Sequence, residues 1–305
     1  MLQGLATFTL FASLPLWIGK VGLYPYLGVE VMIWVIYALG FNLLLGYAGL
    51  PSFGHGAFFG VGAYAFGLCQ LNFSSNLWIC LLSAIGAGAI AGALVAAFIS
   101  HRRGIYYALL TIAFGQIFWF VAIKWHSVTR GEDGLLNIKR PPFLEDLDSL
   151  YYFCFLVFVA VTFFLWRLVN SPFGRVLSAI RQNETRARFI GYNVWAFKWL
   201  AFVISTLVAG LAGGLFALAQ QSAYPNVMSL HQSGFVVMMA LVGGGLVSFW
   251  GPVIGAVLFF VARDLLGAYT EAWLLWYGLL FMAIVLFRPE GIAGILKDVR
   301  SKAPA

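Results

Sequence analysis

Four arginines and one glutamate fall between residues 175 and 188, inside a run reading SPFGRVLSAIRQNETRARFIGYNVWAF from Ser171 to Phe197. Such a group serves binding rather than bond-making, because it offers cations and a counter-charge but neither a nucleophile nor a metal ligand. Residues that do covalent chemistry are scattered. His55, His101, His126 and His231 stand far apart without metal-ligand spacing, so no catalytic residue and no metal site is expected. Cys69, Cys80 and Cys154 form no Cys-x-x-Cys pair and read as small buried hydrophobes. The chain has no Gly-x-x-x-x-Gly-Lys-Ser/Thr loop to cradle ATP in the P-loop manner, so energy for any work must come from a partner.

The elements that must carry the basic run lie in lipid. Only 10% of the 305 residues are charged and 62% are apolar, which leaves too little polar surface to cover a soluble globule. Apolar runs near 5–19, 27–45, 57–71, 77–99, 105–123, 150–169, 198–219, 233–248, 252–266 and 272–287 are candidate spans, against the roughly 20 residues a crossing needs. The fold class is therefore all-α: a polytopic helical bundle of about ten spans, eight if the shortest are broken or re-entrant. The first run, Leu5 to Ile18, has no preceding basic residue and no Ala-x-Ala after it, and reads as an uncleaved span. The whole chain, 1–305, forms one transmembrane domain, with a polar loop at 171–197 and a basic tail at 288–305.

A net charge of +7 could signal nucleic acid in a soluble protein, but in a membrane protein it reports orientation, and no nucleic-acid partner is expected. With both termini inside, twelve of the 18 Lys and Arg residues fall on the inner side and six outside. That split places the 171–197 loop in the cytoplasm.

The loop has helix grammar. Ser171 is suited to cap a helix starting at Pro172. Val176, Leu177 and Ile180, then Ala187 and Ile190 on a second helix, give an apolar face and leave Arg181, Glu184 and Arg188 on a polar one. Glu184 and Arg188 are four apart in the favoured order, and Gly191 permits the turn that ends the second helix. On physics alone the element either transmits a push or anchors on anionic headgroups.

Two Gly-rich blocks, 46–62 and 243–255, combine glycine with proline and polar residues where uninterrupted helix would be expected. Broken helices expose amides and carbonyls that can line a passage for a zwitterionic solute. The blocks share Gly-Leu-x-Ser-Phe, at Gly49–Phe53 and Gly245–Phe249, which is either an internal repeat or chance. The pathway candidates are Asn42, Gly54, His55, Gln116, Gly244 and Gly245. Asn42, Gln116 and Gln220 must face protein or water, since an unsatisfied amide in lipid is costly. His55 either touches solute or satisfies a nearby carbonyl. Small residues such as Gly86, Gly88, Gly92, Gly210, Gly213 and Gly214 read as helix packing. In the outer TRGEDGL loop, Glu132 and Asp133 are either contacts for a docking protein or a solvated turn. Glu30, Arg263, Asp264 and Glu271 fall near span ends, which argues against proton or sodium coupling and leaves a passive channel as the different-class alternative.

The run SAIRQNETRARFIGYNVWAFK resembles the ATPase-docking loop of the LivM type of permease, the membrane subunit of branched-chain amino-acid ABC importers. GYAGLPSFGHGAFFGVGAYA from Gly46, RGIYYALLTIAFGQIFWFVA from Arg103, TRGEDGL, GLVSFWGPVIGA and FRPEGIAG resemble the same family, so the likeness covers most of the chain. The older importer pattern, Glu-Ala-Ala and then Gly four residues on, is only loosely kept, with Thr185 and Arg186 after Glu184 and with Ala187 and Gly191 beyond. The resemblance implies a coupling helix over 178–196, with docking residues Ser178, Ala179, Ile180, Arg181, Gln182, Asn183, Glu184, Thr185, Arg186, Ala187, Arg188, Phe189, Ile190, Gly191, Tyr192 and Asn193. It further implies a second, LivH-like permease subunit, two cytoplasmic ATP-binding subunits that hold ATP and Mg, and an extracytoplasmic solute-binding protein. The setting would be a bacterial or archaeal cytoplasmic membrane. The implied solutes are leucine, isoleucine and valine, with other amino acids, urea and short amides as the alternative within the class.

Overall fold

A computed structural model of the chain describes residues 2–17, 24–246, 248–287 and 290–294. Its helices are α1 (Leu2–Trp17), α2 (Tyr26–Asn42), α3 (Gly56–Asn72), α4 (Leu77–Ile99), α5 (Gly104–Lys124), α6 (His126–Thr129), α7 (Leu147–Val169), α8 (Pro172–Gln182), α9 (Glu184–Phe189), α10 (Val194–Gln220), α11 (Leu230–Gly243), α12 (Gly251–Tyr269) and α13 (Trp273–Phe287). Among the described residues the β pairing is a single antiparallel bridge, Leu135 to Ala223. The chain is an all-helical membrane bundle. Of the expected tail at 288–305, only 290–294 fall among the described residues.

Each of the ten expected spans contains a helix, although the one at 233–248 is broken after Gly243, and among the described residues six helices are long and apolar enough to cross a bilayer alone: α2 with its continuation to Ala48, α4, α5, α7, α10 and α12. The shortfall comes from interruptions. Fourteen residues of α11 rise about 21 Å at 1.5 Å each, short of the roughly 30 Å hydrocarbon layer.

α2 sits at the centre. It is apolar on every side and almost all of it is buried, which is where a helix without a polar face belongs. α10 lies against it, and α3 and α4 close on α10 through backbone contacts that only glycine allows. A Cβ at Gly62 would stand 2.2 Å from Gly210 O, one at Gly213 would stand 1.8 Å from Phe59 O, and one at Gly88 would stand 2.6 Å from Thr206 O. In lipid there is little hydrophobic drive to bring apolar helices together, so close van der Waals packing of this kind holds the bundle. α11 and α12 form a similar hairpin, with Gly243 against Gly251 O and Gly255 against Met239 O. The outward faces of α4, α5 and α7 carry large exposed side chains such as Leu94, Phe98, Phe120 and Phe163, as lipid contact requires.

Long-range polar contacts sort into two ends. At one end, loop 221–224 is bridged to Leu135, Arg140 donates to Leu218 O and Ala219 O, and Arg263 holds Glu30 with two bonds of 2.9 Å. At the other end, α8 and α9 meet loop 100–103 and both Gly-rich blocks.

If close glycine packing holds the bundle, Gly213→Val should destabilise it by about 1–3 kcal/mol through overpacking. Gly86→Val, at a glycine with nothing within 4 Å, should leave it unchanged. Thermal unfolding of the two variants in the same detergent is the comparison to make, and equal melting temperatures would refute the packing argument.

Candidate functional site

The 171–197 loop is two short helices set across the ends of the spans. Pro172 opens α8 in the first helical turn, and Ser171 takes the N-cap position with extended backbone. Its hydroxyl does not cap the helix. It donates 2.6 Å back to Leu168 O, so the end of α7 rather than the start of α8 claims it. Asn183 separates the two helices and caps α9, accepting from Arg186 N at 2.9 Å, while Asn193 caps α10 by accepting from Ala196 N. Gly191, at φ +101°, makes the turn between them. Val176, Ile180, Ala187 and Val194 form a small core of their own with Phe197 against it. Ser178 bonds within α8, to Gly174 O.

Ile190 was expected on that apolar face and is instead 70% exposed, beside Phe189 at 86%. Ile190 keeps helical backbone as the C-cap of α9, but this six-residue helix buries only Ala187 and the chain turns away at Gly191. Two bare apolar side chains therefore stand at the end of α9, whose other exposed residues, Thr185, Arg186 and Arg188, are polar. Ala179 is exposed on α8, and Tyr192 is partly covered by edge-on contact with Phe197.

Glu184 joins the loop to the bundle. It pairs with Arg188 at 3.6 Å, as the four-residue spacing predicted, and with Lys198 at 3.5 Å. Lys198 is buried in the first turns of α10 and also donates 2.6 Å to Arg102 O, so one ammonium ties α9 to the α4–α5 loop. A cavity of about 350 Å³ opens there, lined by His101, Arg103, Glu184, Thr185, Arg188 and Phe189.

Arg181 is exposed on α8 and also reaches back to the bundle. Its Nη1 donates to Gly46 O and, at 3.1 Å, to Leu246 O, and its Cγ would lie 2.8 Å from a Cβ at Gly49. These acceptors belong to the two Gly-rich blocks, which are true breaks. In the first, α2 widens into a π-helical stretch (Leu43–Ala48), Gly49 turns it at φ +68°, and the chain folds back along α2 before α3 begins at Gly56. In the second, Gly244 ends α11 at φ +89° and α12 begins at Gly251. Each left-handed glycine lies seven residues before the next helix. The shared Gly-Leu-x-Ser-Phe runs are one residue out of step with this, since Gly49 is the first residue of its run and Gly244 precedes Gly245, the first of the other. The breaks match in construction more closely than in sequence.

Protein groups satisfy the irregular backbone. Phe53 N donates to Thr111 Oγ1 at 3.1 Å and Gly56 N to Ser233 Oγ at 2.8 Å. Gly54 packs with its α-carbon on α5, where a Cβ would meet Thr111 O at 1.8 Å, so its role is close approach. His55 is buried among Tyr37, Phe41, Phe58 and Phe202. Ser205 Oγ gives its proton to Gly40 O at 2.7 Å, so His55 Nε2–H donates to Ser205 Oγ at 3.1 Å. The partner of His55 is thus a serine hydroxyl and not the nearby carbonyl that the sequence suggested. Asn42 is buried with its amide wedged between the two breaks: its Oδ1 would stand 2.5 Å from a Cβ at either Gly46 or Gly245. Gly244 packs against Glu290 O, which brings the described part of the tail to the second break.

Gln116 is not in the interior with the others. It lies on an exposed stripe of α5 with Ile105, Leu109, Ala113 and Phe120. Gln220 is exposed at the last turn of α10. Glu132 and Asp133 are exposed in a short 3₁₀ turn at the end opposite α8. The residues that sequence reasoning missed are Lys198, Ser205, Ser233 and Thr111. A lysine at the head of an apolar run was a readable signal, whereas single hydroxyls inside spans were not.

Residues 26–288 match the family described as the permease component of the branched-chain amino acid transport system. The chain is 30% identical to the high-affinity branched-chain amino acid transport system permease protein LivM of Salmonella typhimurium, over 86% of this chain and 68% of that protein. It is 24% identical to the probable branched-chain amino acid transport permease protein LivM of Methanocaldococcus jannaschii, over 85% of this chain and 90% of that one. It is also 27% identical to the guanosine ABC transporter permease protein NupQ of Bacillus subtilis, over 66% and 67%. No solved structure matches the chain.

Removing the carboxylate that faces buried Lys198 leaves an ammonium without its counter-charge. Glu184→Gln should therefore lower stability by about 3 kcal/mol, and the double variant Glu184→Gln/Lys198→Met should recover part of the loss. Melting of the single and double variants in one detergent reads this, and additive losses would show that the two residues do not act as a pair.

Proposed function

Given that the chain belongs to the family of branched-chain amino acid transport permease components, and is a LivM-type membrane subunit of an ABC importer rather than an enzyme, we propose that it carries leucine, isoleucine and valine. Alternating access is driven by two ATP-binding subunits that hold ATP and Mg, with a LivH-like permease beside this chain and a solute-binding protein on the outer face. A guanosine permease among the relatives keeps other solutes as the alternative within the class.

The observation that carries the docking role is the tip of α9. Phe189 and Ile190 stand exposed on a loop whose base is fixed by Glu184, Lys198 and a core of its own. Exposed apolar anchors ringed by polar residues mark protein contacts. A loop held this firmly passes force on instead of yielding. With Arg102, Arg103, Arg167, Arg175, Arg181, Arg186, Arg188 and Lys198 at the same end, this face is cytoplasmic by the positive-inside rule. In this reading α1, α3, α11 and α13 complete crossings together with the irregular backbone at their ends, for eight to ten in all, and both termini are cytoplasmic.

The second permease packs on the α5 stripe. Gln116 lies halfway along α5, and an amide there is too costly to leave facing hydrocarbon. An apolar groove lined by Pro51, Phe53, Ile105 and Leu109 continues the stripe to the first break. Solute would pass between the two permeases, where the broken backbone of residues 49–55 comes close. Glu132 and Asp133, exposed at the opposite end, would meet the solute-binding protein.

Two measurements test this. Phe189→Ala/Ile190→Ala should weaken retention of the ATP-binding subunit by roughly thirtyfold, about 2 kcal/mol of contact energy, while the protein still inserts. Unchanged copurification would refute docking at the loop tip. Gln116→Cys should cross-link to the second permease within intact membranes. Modification by a lipid-soluble reagent without any cross-link would place lipid, not protein, on that stripe.

A further inference from the structure

The breaks and the docking loop are usually thought of as separate devices, one for solute and one for the ATPase. In this chain a single side chain joins them. The π-helical stretch that ends α2 leaves carbonyls without helical partners, and so does the turn that follows α11. Arg181 Nη1 donates to one carbonyl from each, Gly46 O in the π-helical stretch and Leu246 O in the turn after Gly243. A cation beside helix C-termini also meets the negative end of their dipoles, which strengthens both bonds. The arrangement is narrow. A side chain at Gly49 would strike Arg181, and Asn42 fills the gap between Gly46 and Gly245 on the far side.

We propose that Arg181 is a positioning residue that binds the docking loop to both broken helices, so that movement imposed on α8 and α9 shifts the two breaks together. This rests on the docking reading and assigns one residue within it to the breaks: Arg181, though exposed at the loop surface, commits its Nη1 to Gly46 O and Leu246 O. α2 lies at the centre of the bundle, and α11 and α12 lean on it through the second break. Displacing the two helix ends therefore reaches the helices that surround the passage. Coupling of this kind requires that the two access states differ in what α8 contacts, and one guanidinium spanning both ends supplies that link.

The test uses the full assembly in proteoliposomes: this chain, the second permease and the ATP-binding subunits, with the solute-binding protein and radiolabelled leucine. Arg181→Gln should lower uptake by about tenfold while copurification of the ATP-binding subunit and ATP hydrolysis stay at wild-type levels. Uptake at the wild-type rate, or loss of the ATP-binding subunit in step with uptake, overturns the proposal. A second measurement needs no solute and no Arg181 variant. Spin labels at Thr185 and Ser248 should report one distance in the nucleotide-free and vanadate-trapped states, because the loop and the second break move as a unit. A nucleotide-dependent change in that distance also overturns the proposal. Arg186→Glu/Arg188→Glu separates the two readings: if it keeps the ATP-binding subunit bound, docking fails, and the spin-label distance still decides the role of Arg181.

Discussion

Backbone that is not helical cannot face lipid, because each unpaired N–H or C=O would lie in hydrocarbon. Two stretches of this chain break their helices at one end of the bundle, and side chains from several elements satisfy them. Thr111 and Ser233 accept from the amides of Phe53 and Gly56, and Arg181 covers carbonyls of both breaks. α5, α8 and α11 are thereby drawn to the same region.

The packing around this region follows from the solvent. Lipid tails attract apolar side chains as well as a neighbouring helix does, and association depends on close fit and hydrogen bonds. Glycine-to-backbone contacts at Gly62, Gly88, Gly213, Gly243 and Gly255 provide the fit. Buried polar side chains provide the bonds, as where Ser205 links Gly40 O to His55. The one tight charge pair between α2 and α12, Glu30 with Arg263, sits at the far end from the breaks and has the bidentate form that holds two helices in register.

A buried cation ties the 171–197 loop to the bundle. Lys198 is held by Glu184 and Arg102 O, so α9 cannot lift without uncovering a charge. The exposed Phe189 and Ile190 are then presented on a fixed base.

Residue order alone determined that the chain lives in lipid, where its helices run, and that 171–197 forms two helices with a glycine turn. Composition, hydropathy and local periodicity are short-range properties, and they read cleanly through Glu184–Arg188 and Gly191. The resemblance to LivM-type permeases was equally legible, since it rests on runs of identity across the chain. What tertiary structure decided are the long-range meetings. Arg181 looked like one more cation on a polar face until the chain brought Gly46 and Leu246 to it from 135 and 65 residues away. Ile190 obeyed the periodicity and still ended exposed, because the short helix that carries it buries Ala187 alone. Gln116 and Asn42 are the same kind of signal in sequence, an amide in an apolar run. One lies on the outer stripe of α5 and the other between two breaks, because which face of a span turns inward is set by its neighbours and not by its own residues.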